Sequence, residues 1–386
     1  MTVEIVYCEG WDPESRSVVR PLPEVTARDR DAAGEQYAMV ITGERPRVLV
    51  EVCWAAHHAA VWHLDEQGRR DRKLVFRRWP GDRLVLLSAE QWAYQPGSQE
   101  FHRGEPSWRV PFWRATYEPD GSRTVSSGSW EGPGLEVPSI HPVPEFGEWA
   151  TVAGEPGPLV ARADPAGDSG ADAEPPWRPP VPCRPRQLDE TFAKGARFEL
   201  DDGSEVTVEL IGGGQLALPT GRLIVADPDP WMHEQKPFLE TVEPGEYPLQ
   251  VSVVRFVDTP DHSRVAACAL WVSDRPTASW NNAWRDGEHP LLLGEGEFYG
   301  VGVDSGRVAL VDASVAREFE DTIEDAYAEM SGWAHELAAP SGANLITVSA
   351  GWGDGAYPVW VGRDSAGELT CFVVDFLVLA HATSLD

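Results

Sequence analysis

Long apolar stretches are missing from this chain of 386 residues. No run approaches the roughly eighteen consecutive apolar residues that a membrane-spanning helix needs. The first ten residues, MTVEIVYCEG, contain no basic stretch followed by an apolar one, so they do not predict a secretory signal peptide. These absences predict a cytoplasmic protein without a membrane segment.

Cysteine is scarce, and the five cysteines are 45, 130, 85 and 103 positions apart along the chain. This spacing contains neither the C-x-x-C pairs of redox and zinc sites nor a compact disulfide framework. We therefore expect reduced cysteines, most of which are buried as small apolar side chains.

Motifs of common enzyme classes are missing as well. Ser349 lies in TVSAG, where Thr347 occupies the first glycine position of the G-x-S-x-G nucleophile elbow. The glycine-rich runs that begin at Gly294 and Gly300 have the wrong glycine spacing for a phosphate loop and lead toward strand instead of helix. The sequence thus predicts neither a serine hydrolase nor a nucleotide-binding enzyme, and we expect no cofactor.

Basic side chains are few, with 32 Lys and Arg against 62 Asp and Glu and a formal net charge of −30. Phosphate backbones and anionic membrane surfaces attract basic proteins, so both are disfavoured as partners. The one basic cluster, RRDRKLVFRR at residues 69–78, is interpreted as a solvated strand and turn. We therefore predict no nucleic-acid and no membrane partner.

What the chain does contain supports folded cores, because 42% of the residues are hydrophobic and 10% are aromatic, including 17 tryptophans. The length suits two ordinary domains. Nine prolines mix with Gly, Ala, Asp and Ser over residues 155–186, a composition typical of a linker. Its end, PPWRPPVP, is interpreted either as a stiff spacer or as a polyproline II ligand for a partner. We predict a β-rich domain over 1–154, this linker, and a second domain over 187–386.

The negative charge is concentrated in the second domain. Residues 1–150 hold 17 basic and 23 acidic side chains, a net charge of −6. Residues 191–386 hold 11 basic and 32 acidic side chains, a net charge of −21. Any partner chosen by charge is therefore expected to bind the second domain.

Short apolar runs that alternate with polar residues, separated by turn signals, predict an antiparallel β sandwich or barrel for the first domain, without a long amphipathic helix. The strands are expected at residues 3–8, 37–42, 47–53, 60–64, 84–87 and 110–117.

The second domain is predicted to be α+β, with an antiparallel sheet and one long helix over about 314–337. Within that segment apolar residues recur every three or four positions, while acidic residues fill the other face. The strands are expected at residues 205–211, 223–226, 247–256, 264–272, 307–311, 345–349, 357–362 and 369–379.

The order of motifs in the second half resembles domain-of-unknown-function family 4241, over roughly residues 190–380. The resemblance implies a shared fold and a shared site region, and it carries no activity. The first 150 residues resemble no family. The segments that carry the resemblance are LPTGRLIVADP from Leu218, PFLETVEPGEYPLQVSVVRF from Pro237, RVAACALWVSD from Arg264, YGVGVDSGRVALVDA from Tyr299 and SGWGDGAYPVWVGRDSAGELTCFVVDF from Ser349.

Two glycine-rich loops of the second domain carry residue types that a hairpin turn does not require. GWGDGAYP holds Trp352, Asp354 and Tyr357, and GVDSG holds Asp304. Backbone amides, carboxylates and aromatic faces in such loops can converge on a ligand or a partner. Ordinary turn geometry also explains the glycines and aspartates, so both interpretations remain open.

Three further residues are candidates for binding. Trp280 and Trp284 lie in the polar loop SWNNAWRDGEHP, where exposed aromatic side chains would mark an interface. Arg222 is a cation in a strongly negative domain, so it is expected either to pair with a carboxylate or to belong to a site.

The segment ADPDPWMHE contains Asp227, Asp229 and His233, which are ligand types for a divalent ion. A turn after a strand accounts for the same residues more simply, because two prolines separate them. We therefore expect no metal site, with these residues as weak candidates.

Three functions follow. The preferred one is a non-catalytic binding protein that recognises a basic protein partner, such as an enzyme or toxin, through its acidic second domain. The second is a carboxylate-based or metal-assisted enzyme with a site near the Asp304 and Asp354 loops, and the third is a small-ligand sensor. Convergence of three or more candidate acids in one pocket would favour the enzyme; these acids are Asp227, Asp304, Asp312, Asp354 and Asp375.

Overall fold

The computed structural model describes residues 3–100, 110–127, 139–155, 159–161, 174–327 and 329–385. The protein is mainly β, with 46% strand and 10% helix, and its sheets are largely antiparallel, which confirms the predicted fold class. The chain forms two compact units, Met1–Pro180 and Val181–Asp386.

The described part of the first unit consists of strands, two short α-helices and a 3₁₀ turn. The helices are α1 (Glu24–Ala33) and α2 (Ala150–Ala153), and a 3₁₀ turn spans Trp54–Ala56. The strands are β1 (Val3–Asp12), β2 (Ser17–Pro21), β3 (Tyr37–Thr42), β4 (Pro46–Cys53), β5 (His58–Leu64), β6 (Arg70–Trp79), β7 (Arg83–Trp92), β8 (Phe112–Tyr117), β9 (Arg123–Ser127), β10 (Ile140–Pro142) and β11 (Leu159–Ala161).

These strands form one sheet in the order β11-β1-β3-β4-β5-β6-β7-β8-β9, with β2 on β1 and β10 on β7. From β3 to β9 each strand pairs with the next one along the chain, and the pairs are antiparallel. Both faces are apolar, because Tyr37 and Met39 belong to one buried cluster and Ala38 and Val40 to another. Near-continuous apolar strands such as β3 are typical of a sheet covered on both sides.

The predicted linker falls partly on residues 156–158 and 162–173, which lie outside the described residues. The boundary between the two units falls within the predicted linker, because residues 181–186 belong to the second unit and residues 174–180 to the first. Trp177 is buried there, its indole Nε1 donates to the Glu9 carbonyl oxygen at 2.9 Å, and its own carbonyl accepts from Gln36 Nε2. A linker or ligand role for residues 155–186 stays a prediction.

The second unit contains the remaining elements. Its helices are α3 (Leu188–Thr191) and α4 (Ile323–Tyr327), with 3₁₀ turns at Met232–Glu234, Pro290–Leu292 and Ala316–Phe319. Its strands are β12 (Arg197–Glu199), β13 (Glu205–Leu218), β14 (Leu223–Ala226), β15 (Gly245–Phe256), β16 (Ser263–Trp271), β17 (Ser279–Asn282), β18 (Gly300–Val303), β19 (Arg307–Asp312), β20 (Ala334–Ala338), β21 (Asn344–Ser349), β22 (Gly355–Arg363), β23 (Leu369–Asp375) and β24 (Thr383–Ser384).

Two sheets face each other across one apolar core. The larger sheet has the order β17-β22-β23-β16-β15-β13-β12-β24, with β18 also on β22, and the smaller one has the order β14-β19-β21-β20. The core joins Val208 and Phe372 of the larger sheet to Leu310 and Ile346 of the smaller one. Because the two sheets pack face to face, β14, at the edge of the smaller sheet, lies beside β18.

The outer face of each sheet is covered as well. A second cluster on the smaller sheet combines Ile224 and Val311 with Phe319 and Ile323, which belong to the segment around α4. On the larger sheet, Leu188 of α3 packs in a cluster with strand residues of β16, β22 and β23. Burial on both faces explains why the central strands read as continuous apolar runs.

The long helix predicted over 314–337 is wrong. The structure has the 3₁₀ turn Ala316–Phe319, the five-residue helix α4 and then strand β20. Gly332, with φ 69°, ends the possibility of a continuous helix, because such a backbone conformation lies outside the helical region. Beyond it, β20 pairs antiparallel with β21 from Ala334 to Ala338. Sheet pairing therefore overrides the helical period in the last third of the predicted segment.

No helix among the described residues is both long enough and apolar enough to span a membrane.

Candidate functional site

An open cavity of about 630 Å³ lies in the second unit. Its walls are β14 with the loop that follows it, β18 with the turn that follows it, and α4. The two strands belong to different pairs, because β14 pairs with β19 and β18 pairs with β22. The cavity thus opens where two strand edges come side by side without pairing.

The edge of β14 points every second carbonyl away from its partner strand. The Leu223 carbonyl accepts from the Phe238 amide at 3.0 Å, and the Val225 carbonyl accepts from Arg285 Nη2 at 3.0 Å. Alternate residues of a strand direct their backbone groups to the same side. Leu223, Val225 and Asp227 therefore face away from β19, and Val225 and Asp227 line the cavity.

The orientation of β18 follows from a proline. Gly300 lies opposite Pro358, which has no N–H, so this position cannot be a hydrogen-bonded pair of the antiparallel ladder. The bonded positions are then Val301 and Val303, while Gly300 and Gly302 direct their N–H and C=O groups away from β22. The Gly300 carbonyl indeed accepts from Arg285 Nη1 at 3.0 Å.

Arg285 bridges the two strand edges. Besides its bonds to Val225 and Gly300, its Nε donates to the Lys236 carbonyl at 3.2 Å, and its guanidinium lies 4.8 Å from the centre of the Phe238 ring. The side chain is 12% exposed and lies 3.7 Å from a Glu288 carboxylate oxygen. Burial lowers the pKa of Arg285, but an arginine stays protonated in proteins. The Arg285 side chain therefore serves to connect the β14 and β18 walls of the cavity.

A second bridge, of opposite charge, lies at the other end of the gap. Asp227 Oδ2 accepts from the Asp304 amide at 2.6 Å and from the Ser305 amide at 2.9 Å. Between this bridge and Arg285 lies Gly302, where an added Cβ would meet no atom within 4 Å. The two strand edges are thus connected at two points, by Arg285 and by Asp227, and the gap between these points is open at Gly302.

The rim is acidic and partly aromatic. Asp227, Asp229, Asp304 and Glu324 line the cavity, as does Trp231, which is 63% exposed. Tyr327 also lines it and donates its hydroxyl to the Ser305 carbonyl. Among the described residues that line the cavity, four carry a carboxylate and one, Arg285, carries a positive charge, so the cavity has a negative potential.

Asp229 has a special environment within this rim. Burial raises its pKa, and the nearby charges of Asp227 and Glu234 raise it further, against backbone amides of Trp231 and Met232 that lower it. Its Oδ1 is buried and accepts no hydrogen bond within the described part of the chain. A buried acceptor without a donor is unfavourable, so a donor brought by a ligand would be stabilised here.

The sequence-predicted residues are distributed unequally. Asp227, Asp229 and Asp304 line the cavity. His233 does not line it, and its Nδ1 lies 2.9 Å from the Pro230 carbonyl. Over the described ranges, no group of three or more His, Cys, Asp or Glu side chains is arranged to hold a metal ion.

The loops of Asp304 and of Trp352 to Tyr357 do meet through their backbones, because β18 pairs with the start of β22. Their side chains serve different purposes. Trp352, 56% exposed, stacks under the Arg264 guanidinium at 5.1 Å, outside the cavity. Tyr357 is buried and donates its hydroxyl to the Gly353 carbonyl, and Asp354 is exposed.

The remaining candidates also lie outside the cavity lining. Trp280 is partly buried and packs against the outer-face cluster of the larger sheet. Trp284 packs edge-on against Tyr299, with ring centres 5.7 Å apart. Arg222 is exposed and is not among the residues that line the cavity. Sequence reasoning therefore identified three acids of the cavity, Asp227, Asp229 and Asp304. It missed the residues Glu324, Arg285, Trp231 and Gly302.

Two further acids proposed for catalysis lie elsewhere. Asp312 is fully buried and accepts four hydrogen bonds from Thr220 and Ser314, which hold its pKa below the usual range. Asp375 accepts from the Leu377 amide and from Trp360 Nε1 on the outer side of the larger sheet. Of the five carboxylates considered for an enzyme, Asp227 and Asp304 share the cavity.

Asp375 leads to a pH prediction, because burial raises its pKa to about 6. An unfolded aspartate titrates near about 3.9, so between these values the folded state binds more protons and stability falls as pH rises. We expect Asp375→Asn to leave the free energy of unfolding unchanged near pH 4 and to raise it by about 1–2 kcal/mol at pH 7.5. Urea unfolding of the full chain at several pH values measures this. The exposed Asp201→Asn is the control, and an Asp375→Asn effect that ignores pH would contradict the prediction.

The fold and the cavity define a two-sheet β domain with an acidic cleft between unpaired strand edges. Residues 216–374 match the family model described as "Protein of unknown function (DUF4241)". This confirms the resemblance of the C-terminal part, and the matched range contains β14, β18 and Arg285. The N-terminal half has no family match. A search of curated proteins and a search of solved structures found no match.

Proposed function

We propose that the protein is a non-catalytic, cytoplasmic binding protein whose second unit recognises a basic protein partner through the acidic cavity. The observation that carries the proposal is the rim, where Asp227, Asp229, Asp304 and Glu324 face an open space. A Lys or Arg side chain of a partner would find charge complementarity in this space.

The surroundings support the same partner. The net charge of −21 over residues 191–386 attracts a basic surface over a distance of about 8–10 Å at ordinary ionic strength and so raises the association rate. Trp231 is exposed beside the acids, and exposed tryptophans are common anchors of binding interfaces. Long-range charge and a local aromatic contact thus coincide at one place.

An enzyme is the second candidate, and Asp229 is the observation that favours it. A carboxyl group with a raised pKa and an unpartnered oxygen in a cavity is typical of a general acid or base. The binding function is preferred because Asp227 already holds two backbone amides and Asp229 caps its own turn, which leaves Asp304 and Glu324 as acids on an open rim.

The test compares two variants that change the net charge equally. The pocket variant carries Asp304→Lys and Glu324→Lys, both at exposed cavity positions, and the control carries Asp201→Lys and Asp261→Lys, both exposed and outside the cavity lining. Proteins captured from lysate by the immobilised full chain are identified by mass spectrometry, purified and measured by calorimetry at low and high salt. We expect a basic partner whose affinity falls as the salt concentration rises. Its affinity should fall at least roughly tenfold for the pocket variant and about threefold or less for the control variant.

Three results would count against the proposal. In the first, the wild type captures no protein that the pocket variant does not also capture. In the second, the affinity of the captured partner does not depend on salt. In the third, the pocket variant and the control variant lose the same affinity. The last of these would assign binding to the overall charge and not to the cavity.

A further inference from the structure

Within the part of the chain that the structure describes, the backbone N–H and C=O groups of Gly302 that face the cavity pair with no other strand, and this bears on what enters the cavity. Along β18 the positions that face away from β22 are Gly300 and Gly302, followed by Asp304 in the turn. The first is bonded to Arg285 and the last to Asp227, through the Gly300 carbonyl and the Asp304 amide. Gly302, between them, lines the cavity with one donor and one acceptor that face away from its own sheet.

The geometry at Gly302 leaves room for a chain to approach. The residue is exposed, its φ is not in the left-handed region, and a Cβ built on it would meet open space. A turn or a crowded contact therefore does not require glycine at this position. What glycine does provide is access to the backbone, since a side chain larger than a methyl group would occupy part of the cavity wall.

The chemistry of the occupant follows from these two groups taken with the acids. A free amide and a free carbonyl on one exposed strand residue are satisfied together by the carbonyl and amide of a second extended chain, as in strand addition. A small cation such as an ammonium group offers donors and no acceptor. The acidic rim, which includes Asp229, Asp304 and Glu324, calls for a positive side chain next to that backbone.

We propose that the cavity binds an extended segment of the partner whose main chain pairs with Gly302 and whose Lys or Arg side chain lies among Asp229, Asp304 and Glu324. This inference rests on the proposed function and adds the kind of segment that is recognised. Because Arg285 and Asp227 already bond the flanking positions, pairing is confined to one residue of β18. Affinity then depends on the side chain and on a single backbone contact, not on a long ladder.

The experiment uses fluorescein-labelled hexapeptides with a central Arg or Lys in varied hosts, measured by fluorescence anisotropy with the full chain. The best peptide is then made with citrulline, a neutral analogue, in place of Arg, and with each backbone amide N-methylated in turn. The protein variants are Gly302→Pro and Gly302→Ala. Proline removes the N–H that points away from β22 and so leaves the β18–β22 ladder intact, and alanine keeps that N–H while adding a Cβ.

We expect citrulline and one N-methylated position to weaken binding at least roughly tenfold each. Gly302→Pro should weaken the parent peptide by a similar factor and show little further loss with the critical N-methylated peptide, because both changes remove the same contact. Gly302→Ala should bind within about threefold of the wild type. If Gly302→Pro does not fold, as judged by circular dichroism, the N-methyl series on the wild type still decides.

The failures can be told apart. A flat N-methyl series combined with a loss on citrulline substitution overturns the strand pairing and leaves a basic ligand bound by its side chain. Binding that citrulline does not weaken overturns the proposed function itself. If arginine amide binds as tightly as the best peptide, or if no hexapeptide binds at about 1 mM, the proposal that an extended segment is recognised is overturned. The proposed function is then still tested by the calorimetry on a captured folded partner.

Discussion

Replacement of Asp312 by alanine is expected to lower the free energy of unfolding of the second unit by about 3 kcal/mol. The carboxylate is fully buried at the end of β19, and it accepts from the amides and hydroxyls of Thr220 and Ser314 at 2.7–2.9 Å. Two turns thus depend on one side chain, which fixes the chain just before β14 and just after β19. Alanine would leave both amides without this acceptor and would open a small cavity.

The hydrogen bonds to Asp312 hold its pKa below the usual range, so its contribution also depends on pH. Because the folded pKa lies below the unfolded one, the stabilisation is present above about pH 4 and is lost as pH falls through the folded pKa. Asp312→Asn keeps the shape with one acceptor oxygen and is expected to cost about half as much as alanine. Urea unfolding of the full chain measures the effect, with the exposed Asp304→Asn as control. Equal stabilities for the Asp312→Ala and Asp304→Asn variants would contradict the prediction.

The second large effect is expected for Gly300→Ala. A Cβ on Gly300 would lie 2.2 Å from the Tyr357 carbonyl oxygen and 2.8 Å from its carbonyl carbon, which no side-chain rotation relieves. The strand pair β18–β22 would have to separate, and the bond from Arg285 to the Gly300 carbonyl would be displaced with it. We expect a loss of about 2–4 kcal/mol in the free energy of unfolding.

Gly302→Ala is the matched control for this change, because it makes the same substitution two residues further on the same strand. A Cβ there meets no atom within 4 Å, so its effect should stay within about 0.5 kcal/mol. Thermal and urea unfolding of the two variants side by side give the difference. Similar losses in both would mean that strand propensity matters at these positions, and not the close approach to Tyr357.

The strands could be predicted well from the sequence where the apolar pattern is local. Tyr37–Thr42 and Leu223–Ala226 have the bounds that their apolar runs indicate. The structure of residues 314–337 could not be predicted in the same way. In this segment the apolar residues of two helical turns and of a later strand happen to follow one another at helical spacing. Only the pairing of β20 with β21, ten residues further on, distinguishes the two, and that information lies outside the predicted segment.

Three of the four acids of the candidate site could be predicted from the sequence, but its shape could not. Asp227 and Asp304 are 77 residues apart, and nothing local in the sequence shows that the carboxylate of one caps the amide of the other. Arg285 carried no signal beyond its charge, since its role depends on carbonyls of two strands. Pro358 is the exception, because once its pairing with Gly300 is known it determines which groups of β18 face the cavity.

The two units also differ in the order in which their sheets can form during synthesis. From β3 to β9 each strand of the first unit pairs with its neighbour in sequence, so this part can assemble as the chain leaves the ribosome. The larger sheet of the second unit ends with β12 paired to β24. Phe198 of β12 can therefore pair with Ser384 only after nearly the whole chain has been synthesised. Until that late segment emerges, β12 presents an open edge, and unpaired edges are where neighbouring nascent chains associate.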